Sequence, residues 1–201
     1  MEKSYSQAGQ DIFVLSLFEK NYKGVFVDIG CQGPEIINNT LLLEENGWTG
    51  ISFDIIDYSG EWQIRKTPFI VQDALICDYK KIFEEQNFNN PIDYLSLDIE
   101  GDGQRYQALK QVMKSGYEFK AITIEHDAYR GYDLTERQPQ RKFLNEIGYL
   151  LLCADIICGG CQMEDWWINP KYFKESKYMF YHCSNTSFLE ILNKNKNREN
   201  K

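Results

Sequence analysis

Five short apolar runs in this chain each end in a side chain that can accept a hydrogen bond or move a proton. Val25-Phe-Val is followed by Asp28, Ile51-Ser-Phe by Asp54, and Phe69-Ile-Val-Gln by Asp73. Pro91-Ile-Asp-Tyr-Leu-Ser-Leu is followed by Asp98, and Lys120-Ala-Ile-Thr-Ile by Glu125-His126-Asp127. Carboxylates bind hydroxyl and ammonium groups, take protons from weak acids and, in groups, hold hard divalent cations. A single acid of this kind reads as an ordinary loop residue. Repetition after successive strand-like runs points to a shared edge, because open α/β sheets bind ligands beyond the carboxyl ends of their strands.

The elements that must position these groups are legible around Asp28. Residues 25–27 are apolar and β-branched enough for a buried strand, and Gly30 and Gly33 let the backbone turn sharply. Asn38 or Asn39 can cap a helix through Leu41-Leu-Leu-Glu-Glu, which Gly47 stops, and residues 50–53 form a second strand ending on Asp54. This is one nucleotide-binding half of a doubly wound sheet, in which the second acid holds ribose hydroxyls. The G-x-G-x-x-G of dinucleotide sites is absent, since Gln32 and Pro34 occupy places where that fingerprint needs flexibility. An acid before the turn suits a ligand with a cationic amino-acid end and no phosphates. S-adenosylmethionine (SAM) is such a ligand; a nicotinamide or flavin site, and a plain βα turn, stay open as alternatives.

The remaining segments follow the same alternation. Residues 12–18 read as a helix, and residues 57–66 as a loop carrying Trp62. Phe69-Ile-Val-Gln is a third strand whose Asp73-Ala74 end could meet an adenine amino group. Helices are expected over 78–88, 104–113 and 137–147, with Gly148 as the last stop. Residues 149–153 and 178–183 read as late strands paired with each other, separated by the aromatic segment Glu164-Asp-Trp-Trp-Ile-Asn169-Pro170. One domain over residues 1–192 is expected, with a cap segment at 1–22 and a frayed polar tail at 193–201.

Composition narrows the partners. The 201 residues are 43% hydrophobic and 14% aromatic, enough for one full core. Thirty acidic residues against 22 basic give a net charge of -8, which argues against a broad nucleic-acid or anionic-membrane surface. No apolar run approaches the ~20 residues of a membrane span, and no apolar h-region follows the first residues. A soluble, cytoplasmic protein is expected, and a homo-oligomer stays open. Without an export signal the six cysteines should be thiols. Cys158-Gly-Gly-Cys161 has metal-like spacing, and His182-Cys183 could complete a zinc site, but no second C-x-x-C accompanies it.

Several ordered motifs between about residues 6 and 170 resemble FkbM-type SAM-dependent methyltransferases. They are Ser6-Gln-x-Gly-Gln-Asp11, Phe26-Val-Asp-Ile-Gly-x-x-x-Pro34, and Asn39-Thr40 with Leu43-Glu-x-x-Gly-Trp48-x-Gly50. Ile92-Asp-Tyr-Leu-Ser-Leu-Asp-Ile-Glu-Gly101, Ile124-Glu-His126 and Glu164-Asp-Trp-Trp167 complete the set. The resemblance implies a Rossmann-like α/β fold: a doubly wound, seven-stranded, mostly parallel class I methyltransferase sheet with an antiparallel C-terminal strand. It also implies methyl transfer to a hydroxyl of a small molecule or glycan, a sugar first. Cys31 and Gln32 stand where the family has a small residue and Asn, and Gly103-Gln104 where members often carry another acid.

Carried over residue by residue, the SAM contacts would be Gln7, Asp28, Gly30, Asn39, Asp54, Ile55, Asp73, Ala74 and Asp98. Asp28 and Gly30 would receive the methionine end, Asp54 the ribose and Asp73-Ala74 the adenine. A hydroxyl acceptor needs a base, a metal, or both. His126 is the expected general base, with Asp98 second. Asp98, Glu100 and Glu125 would suit Mg²⁺ or Mn²⁺, although Asp98 or Asp102 could equally cap the helix at 104. Trp166 and Trp167 would form a sugar platform with Trp62, unless they pack in the core. A catalytically inactive binding module of the same fold and a nicotinamide-dependent enzyme are the rival readings.

Overall fold

Among the described residues the apolar runs pair as parallel strands from one edge of an eight-stranded sheet, in the order β3 (Phe69–Val71), β2 (Thr49–Asp54), β1 (Val25–Ile29), β4 (Ile92–Leu97), β5 (Phe119–Glu125), β7 (Cys161–Ile168), β6 (Leu150–Cys158) and β8 (Cys183–Ser184). The computed structural model describes residues 3–187, without the side chain at 180, and residue 190; the tail expected at 193–201 lies outside these residues. Strands β1 (Val25–Ile29), β2 (Thr49–Asp54), β3 (Phe69–Val71), β4 (Ile92–Leu97) and β5 (Phe119–Glu125) run parallel. β2 and β5 end on an acid named above and β4 one residue before Asp98, while β1 runs one residue past Asp28 and β3 stops two residues short of Asp73.

Two strands then reverse the pattern. β6 (Leu150–Cys158) and β7 (Cys161–Ile168) form a hairpin, and β7 inserts antiparallel between β5 and β6. The expected pairing of 149–153 with 178–183 holds only where Cys153 meets Cys183. Most of that second segment is helical, and Cys183–Ser184 alone (β8) pairs with β6, in parallel, as an eighth strand beyond the seven expected. The hairpin escapes periodicity because it carries polar residues inside it. Asp155 adopts φ 54° at irregularities between Cys153 and Ile156, and Glu164 and Asp165 are buried strand residues. A bulge of this kind breaks the two-residue alternation and re-aims a side chain.

Helices cover both faces. On one side α3 (Tyr79–Glu85), α4 (Gln104–Met113) and α5 (Gln138–Glu146) enclose a core of Val27, Ile29, Ile51, Leu95, Ile122 and Trp167. On the other, α1 (Gln10–Leu17) buries Phe13, Val14 and Leu17 against Phe26, Tyr94 and Trp166. The α2 helix (Leu41–Glu45) starts where expected, with Asn38 Oδ1 accepting from the N–H groups of Thr40 and Leu41 at 3.0 and 2.9 Å. Among the described residues no helix is long and apolar enough to cross a membrane.

The expected tryptophan platform is not at the surface. Trp166 and Trp167 are neighbours on β7, so their side chains leave opposite faces of the sheet. Both are completely buried: Trp166 stacks on Phe13 with ring centroids 4.5 Å apart, and Trp167 joins the core on the far side.

Candidate functional site

A cavity of about 230 Å³ opens beyond the carboxyl ends of β1, β2 and β4. Gly30, Asp54, Ile55, Asp73, Ala74, Asp98 and Glu100 stand on its wall, as the sequence led us to expect of six of them for a ligand and of Glu100 for a metal. Gln32, Tyr58, Leu75 and Gln104 also line it. Gln32 and Gln104 stood out in the sequence only as departures from a motif, and Tyr58 and Leu75 not at all, since they become neighbours only through loop packing.

The floor depends on Gly30. Its φ is 80°, and a Cβ there would stand 1.8 Å from the carbonyl oxygen of Asp98. Only glycine allows β1 and β4 to close so tightly at their ends. The Gly30 and Cys31 N–H groups both donate to Phe53 O, at 2.8 and 3.1 Å, which ties in β2. Asp54 is oriented by two backbone donors: Gln32 N to Oδ2 and Ile56 N to Oδ1, each at 2.9 Å. Asp73 accepts from Leu75 N at 2.8 Å, which turns the chain into the apolar rim.

Asp28 and Asn39 sit beside this cavity rather than on its wall. Asp28 is 2% exposed and accepts from Thr40 Oγ1 at 2.9 Å. Burial pushes its carboxyl up to about 6, against the pull of Thr40, Ser96 and Arg65. Asn39 Nδ2 donates to Ser96 Oγ at 3.0 Å, while its Oδ1 is buried without a donor among the described residues. The loop around them is clamped by Arg65, whose guanidinium reaches Glu44, Pro34 O, Asn38 Oδ1 and Thr40 Oγ1 at 3.0–3.2 Å. Arg65 gave no signal in the sequence, because it lies in an irregular segment far from these partners. Gln7 is exposed and away from the cavity; its carbonyl accepts from Cys158.

A row of acids continues across the sheet on the α1 face. Asp98 is half-buried, and the carboxyl of Glu125 hydrogen-bonds to it. Glu125 and Glu164 are direct cross-strand partners on β5 and β7. Burial, then the charge of Asp98, holds Glu125 far above the ordinary carboxyl range, and burial also raises Asp98. Burial likewise pushes Glu164 up to about 8, although Trp166 Nε1 donates to it at 2.9 Å and Gln10 also hydrogen-bonds to it. The buried guanidinium of Arg105 binds Glu125 and, at 3.0 Å, Asp127. Of the two, Glu125 is raised further above the ordinary carboxyl range than Asp98 on the cavity wall.

Two expected roles are corrected here. His126 follows Glu125 directly and so points to the opposite face, where it is completely buried. Its Nδ1 accepts from Ala128 N at 3.1 Å, which leaves the proton on Nε2. Nε2 lies 3.5 Å from Asp155 Oδ1 and 3.6 Å from Asp165 Oδ1, beside the ion pairs that those carboxylates make with Arg137 and Arg141. Although burial opposes ionisation, Arg141 and His126 hold Asp165 below the ordinary range. His126 therefore cannot reach the cavity as a base.

The metal set fails for a related reason. Glu100 is exposed and turned to Arg130 at 3.1 Å, while Glu125 is already engaged by Arg105. Asp98, Glu100 and Glu125 do not converge on one point. Among the described residues the group whose donor atoms do converge is His126, Asp155 and Asp165, and its carboxylates already carry two arginines. Neither set fits Mg²⁺ or Mn²⁺, which need oxygen ligands free of competing cations. Cys158 and Cys161 are free thiols, as expected.

No family model matches the chain, and no curated protein matches it in sequence. Solved structures match it in fold. A DUF574 family protein from Streptomyces avermitilis is 12% identical, with a TM-score of 0.53 over 80% of this chain and 81% of that one. A protein in the NADB-Rossmann superfamily from Streptococcus agalactiae is 14% identical, with a TM-score of 0.53 over 84% and 70%. The human methyltransferase 10 domain containing protein is 14% identical, with a TM-score of 0.50 over 80% of both chains. At such identities the likeness is one of fold: a Rossmann-like methyltransferase sheet, mostly parallel with one antiparallel insertion.

Proposed function

We propose that this chain is a SAM-dependent O-methyltransferase of the FkbM type, acting on a hydroxyl of a small molecule or glycan. The observation that carries this reading is the cavity in which Gly30, Asp54, Asp73 and Asp98 converge beside the Asp98–Glu125 pair. Its residues fit the nucleoside. Asp54, held by two backbone donors, would accept from ribose hydroxyls, and Asp73 with Ala74 would meet adenine between Ile55 and Leu75. The buried, unpaired Asn39 Oδ1 and the neighbouring Asp28 offer the methionine ammonium an acceptor and a negative charge. SAM, when bound, supplies an electrophilic methyl group on a sulfonium.

The chain's own chemistry is to place and deprotonate the acceptor. Asp98 would take the hydroxyl proton, and Glu125, already hydrogen-bonded to it, would steady the charge that Asp98 carries beforehand. Arg105 keeps the buried acids from repelling one another. Base and positioning together make the oxygen a nucleophile without a metal in the scheme. With the tryptophans in the core, Gln32, Glu100 and Gln104 at the cavity are the groups left to recognise hydroxyls, so a sugar is the first acceptor to test. The net charge of -8 favours such an acceptor over a nucleic acid.

Calorimetric titration with S-adenosylhomocysteine tests the cofactor, and methyl transfer from labelled SAM to hydroxylated acceptors tests the reaction. Binding without turnover on any acceptor would favour the inactive module; no binding would remove the reading altogether.

A further inference from the structure

The β6–β7 hairpin ends in Cys158-Gly-Gly-Cys161, a reactive motif that the site above does not use. Cys158 and Cys161 are direct partners across the ladder, and the two glycines between them have φ of 58° and 82°. Two consecutive left-handed residues make the tight mirror-image turn of a two-residue hairpin, and that turn holds the flanking pair in register. Side chains directly opposed in an antiparallel pair leave the same face, with Cα atoms about 5.5 Å apart where the pair exchanges hydrogen bonds. A disulfide spans Cα separations of about 4.4–6.8 Å, so the existing backbone can accept one. Both thiols are free and half-buried, within reach of a small reagent.

The reduced Cys158 is already engaged. Its thiol donates to the carbonyl oxygen of Gln7 at 3.6 Å, joining the hairpin tip to the N-terminal segment. That segment is wrapped around Asp11, which accepts from the Ser4 hydroxyl, the Tyr5 N–H and the Ser6 hydroxyl at 2.7–2.8 Å. Next to it, Gln10 accepts from Ala8 N at 2.9 Å and reaches Glu164 on β7. The Cys158 sulfur thus has two alternative partners, Gln7 when reduced and Cys161 when oxidised. It cannot keep both.

We propose that Cys158 and Cys161 are a reversible thiol–disulfide modification site whose oxidation releases the N-terminal segment from the hairpin. A low-molecular-weight disulfide such as glutathione disulfide is the oxidant. One cysteine thiolate attacks its S–S bond, expelling a glutathione thiolate and leaving a mixed disulfide. The second cysteine, as thiolate, attacks the bound protein sulfur and expels the second glutathione. The two cysteine protons go to the two glutathione thiolates, so two protein thiols are oxidised and one glutathione disulfide is reduced. Burial and the nearby Glu164 carboxyl raise the Cys158 thiol, so exchange should quicken as the solution is made alkaline. The inference goes beyond methyl transfer and does not rest on it.

The 201-residue chain is incubated with glutathione disulfide at about pH 8.5, and unreacted thiols are alkylated under denaturing conditions before intact mass is measured. The expected result is loss of two alkylatable thiols with no glutathione retained, reversed by dithiothreitol and abolished in Cys158→Ser and in Cys161→Ser. Amide exchange of residues 5–9 should quicken about two- to fivefold on oxidation, as one weak hydrogen bond is lost. Persistence of the thiol loss in Cys158→Ser would place the bond elsewhere and overturn the proposal. A stable glutathione adduct, or a disulfide that leaves exchange of residues 5–9 unchanged, would overturn it as well.

Discussion

The backbone N–H of Gln32 donates to Asp54 Oδ2 across 2.9 Å, tying the turn after β1 to the end of β2. With Ile56 N on its other oxygen, the Asp54 carboxylate is aimed before any ligand arrives. Such pre-orientation is what makes a charge-assisted hydrogen bond to ribose worthwhile, since little side-chain freedom remains to be lost. Asp54→Ala should weaken S-adenosylhomocysteine binding by about 1–3 kcal/mol. Calorimetry on a variant shown to be folded by circular dichroism checks this; unchanged affinity would remove Asp54 from the cofactor site.

Asp98 and His126 should separate cleanly in kinetics. Asp98→Asn keeps the shape but not the basicity, so turnover should fall by ~10²–10⁴ with S-adenosylhomocysteine affinity within a few-fold of wild type. His126→Ala should instead cost about 1–3 kcal/mol of folding stability, by emptying the space between Asp155 and Asp165. The folded fraction should keep the wild-type pH–rate profile. A stable His126→Ala protein with lost turnover would return the base to His126.

The tryptophan pair should report packing, not recognition. Trp166→Ala should destabilise the fold by about 3–5 kcal/mol in urea titration, because it empties a core position against Phe13. A variant of native stability with a raised KM for the acceptor would restore the platform reading.

Stability should fall as pH rises above the ordinary carboxyl range. Glu164 is held protonated up to about 8 in the folded protein but ionises near 4.5 once unfolded. The folded state therefore binds more protons between those values, and linkage makes unfolding easier as pH increases through that window. Glu125 acts in the same direction. Below about pH 4.5 both states are protonated and this contribution is fully present. Glu164→Gln should flatten the decline measured by denaturant titrations from pH 5 to 8; a slope equal to wild type would show that Glu164 is ionised in the fold.

Much of the architecture was legible because parallel strands are apolar on both faces and end at ligand-binding turns. β1, β2, β4 and β5, with Asp28, Asp54, Asp98 and Glu125 at their ends, were visible as runs bounded by acids and glycines. Of the β6–β7 hairpin only its start, at residues 150–153, was visible. Its bulge at Asp155 and its buried Glu164 and Asp165 mimic a polar loop, and nothing local reveals that Arg137 and Arg141 pair with Asp155 and Asp165.

From the sequence alone came the class of the sheet, the edge at which the cavity opens and the acids that reach it, because periodicity and turn chemistry are local properties. Only the tertiary structure decided which side chains at that edge face the cavity. Adjacent strand residues leave opposite faces, so Glu125 meets Asp98 while His126 joins Asp155 and Asp165, and Trp166 and Trp167 enter separate cores. Which face is the ligand's depends on where α1 and α5 pack, and that is set by contacts between residues far apart in the chain.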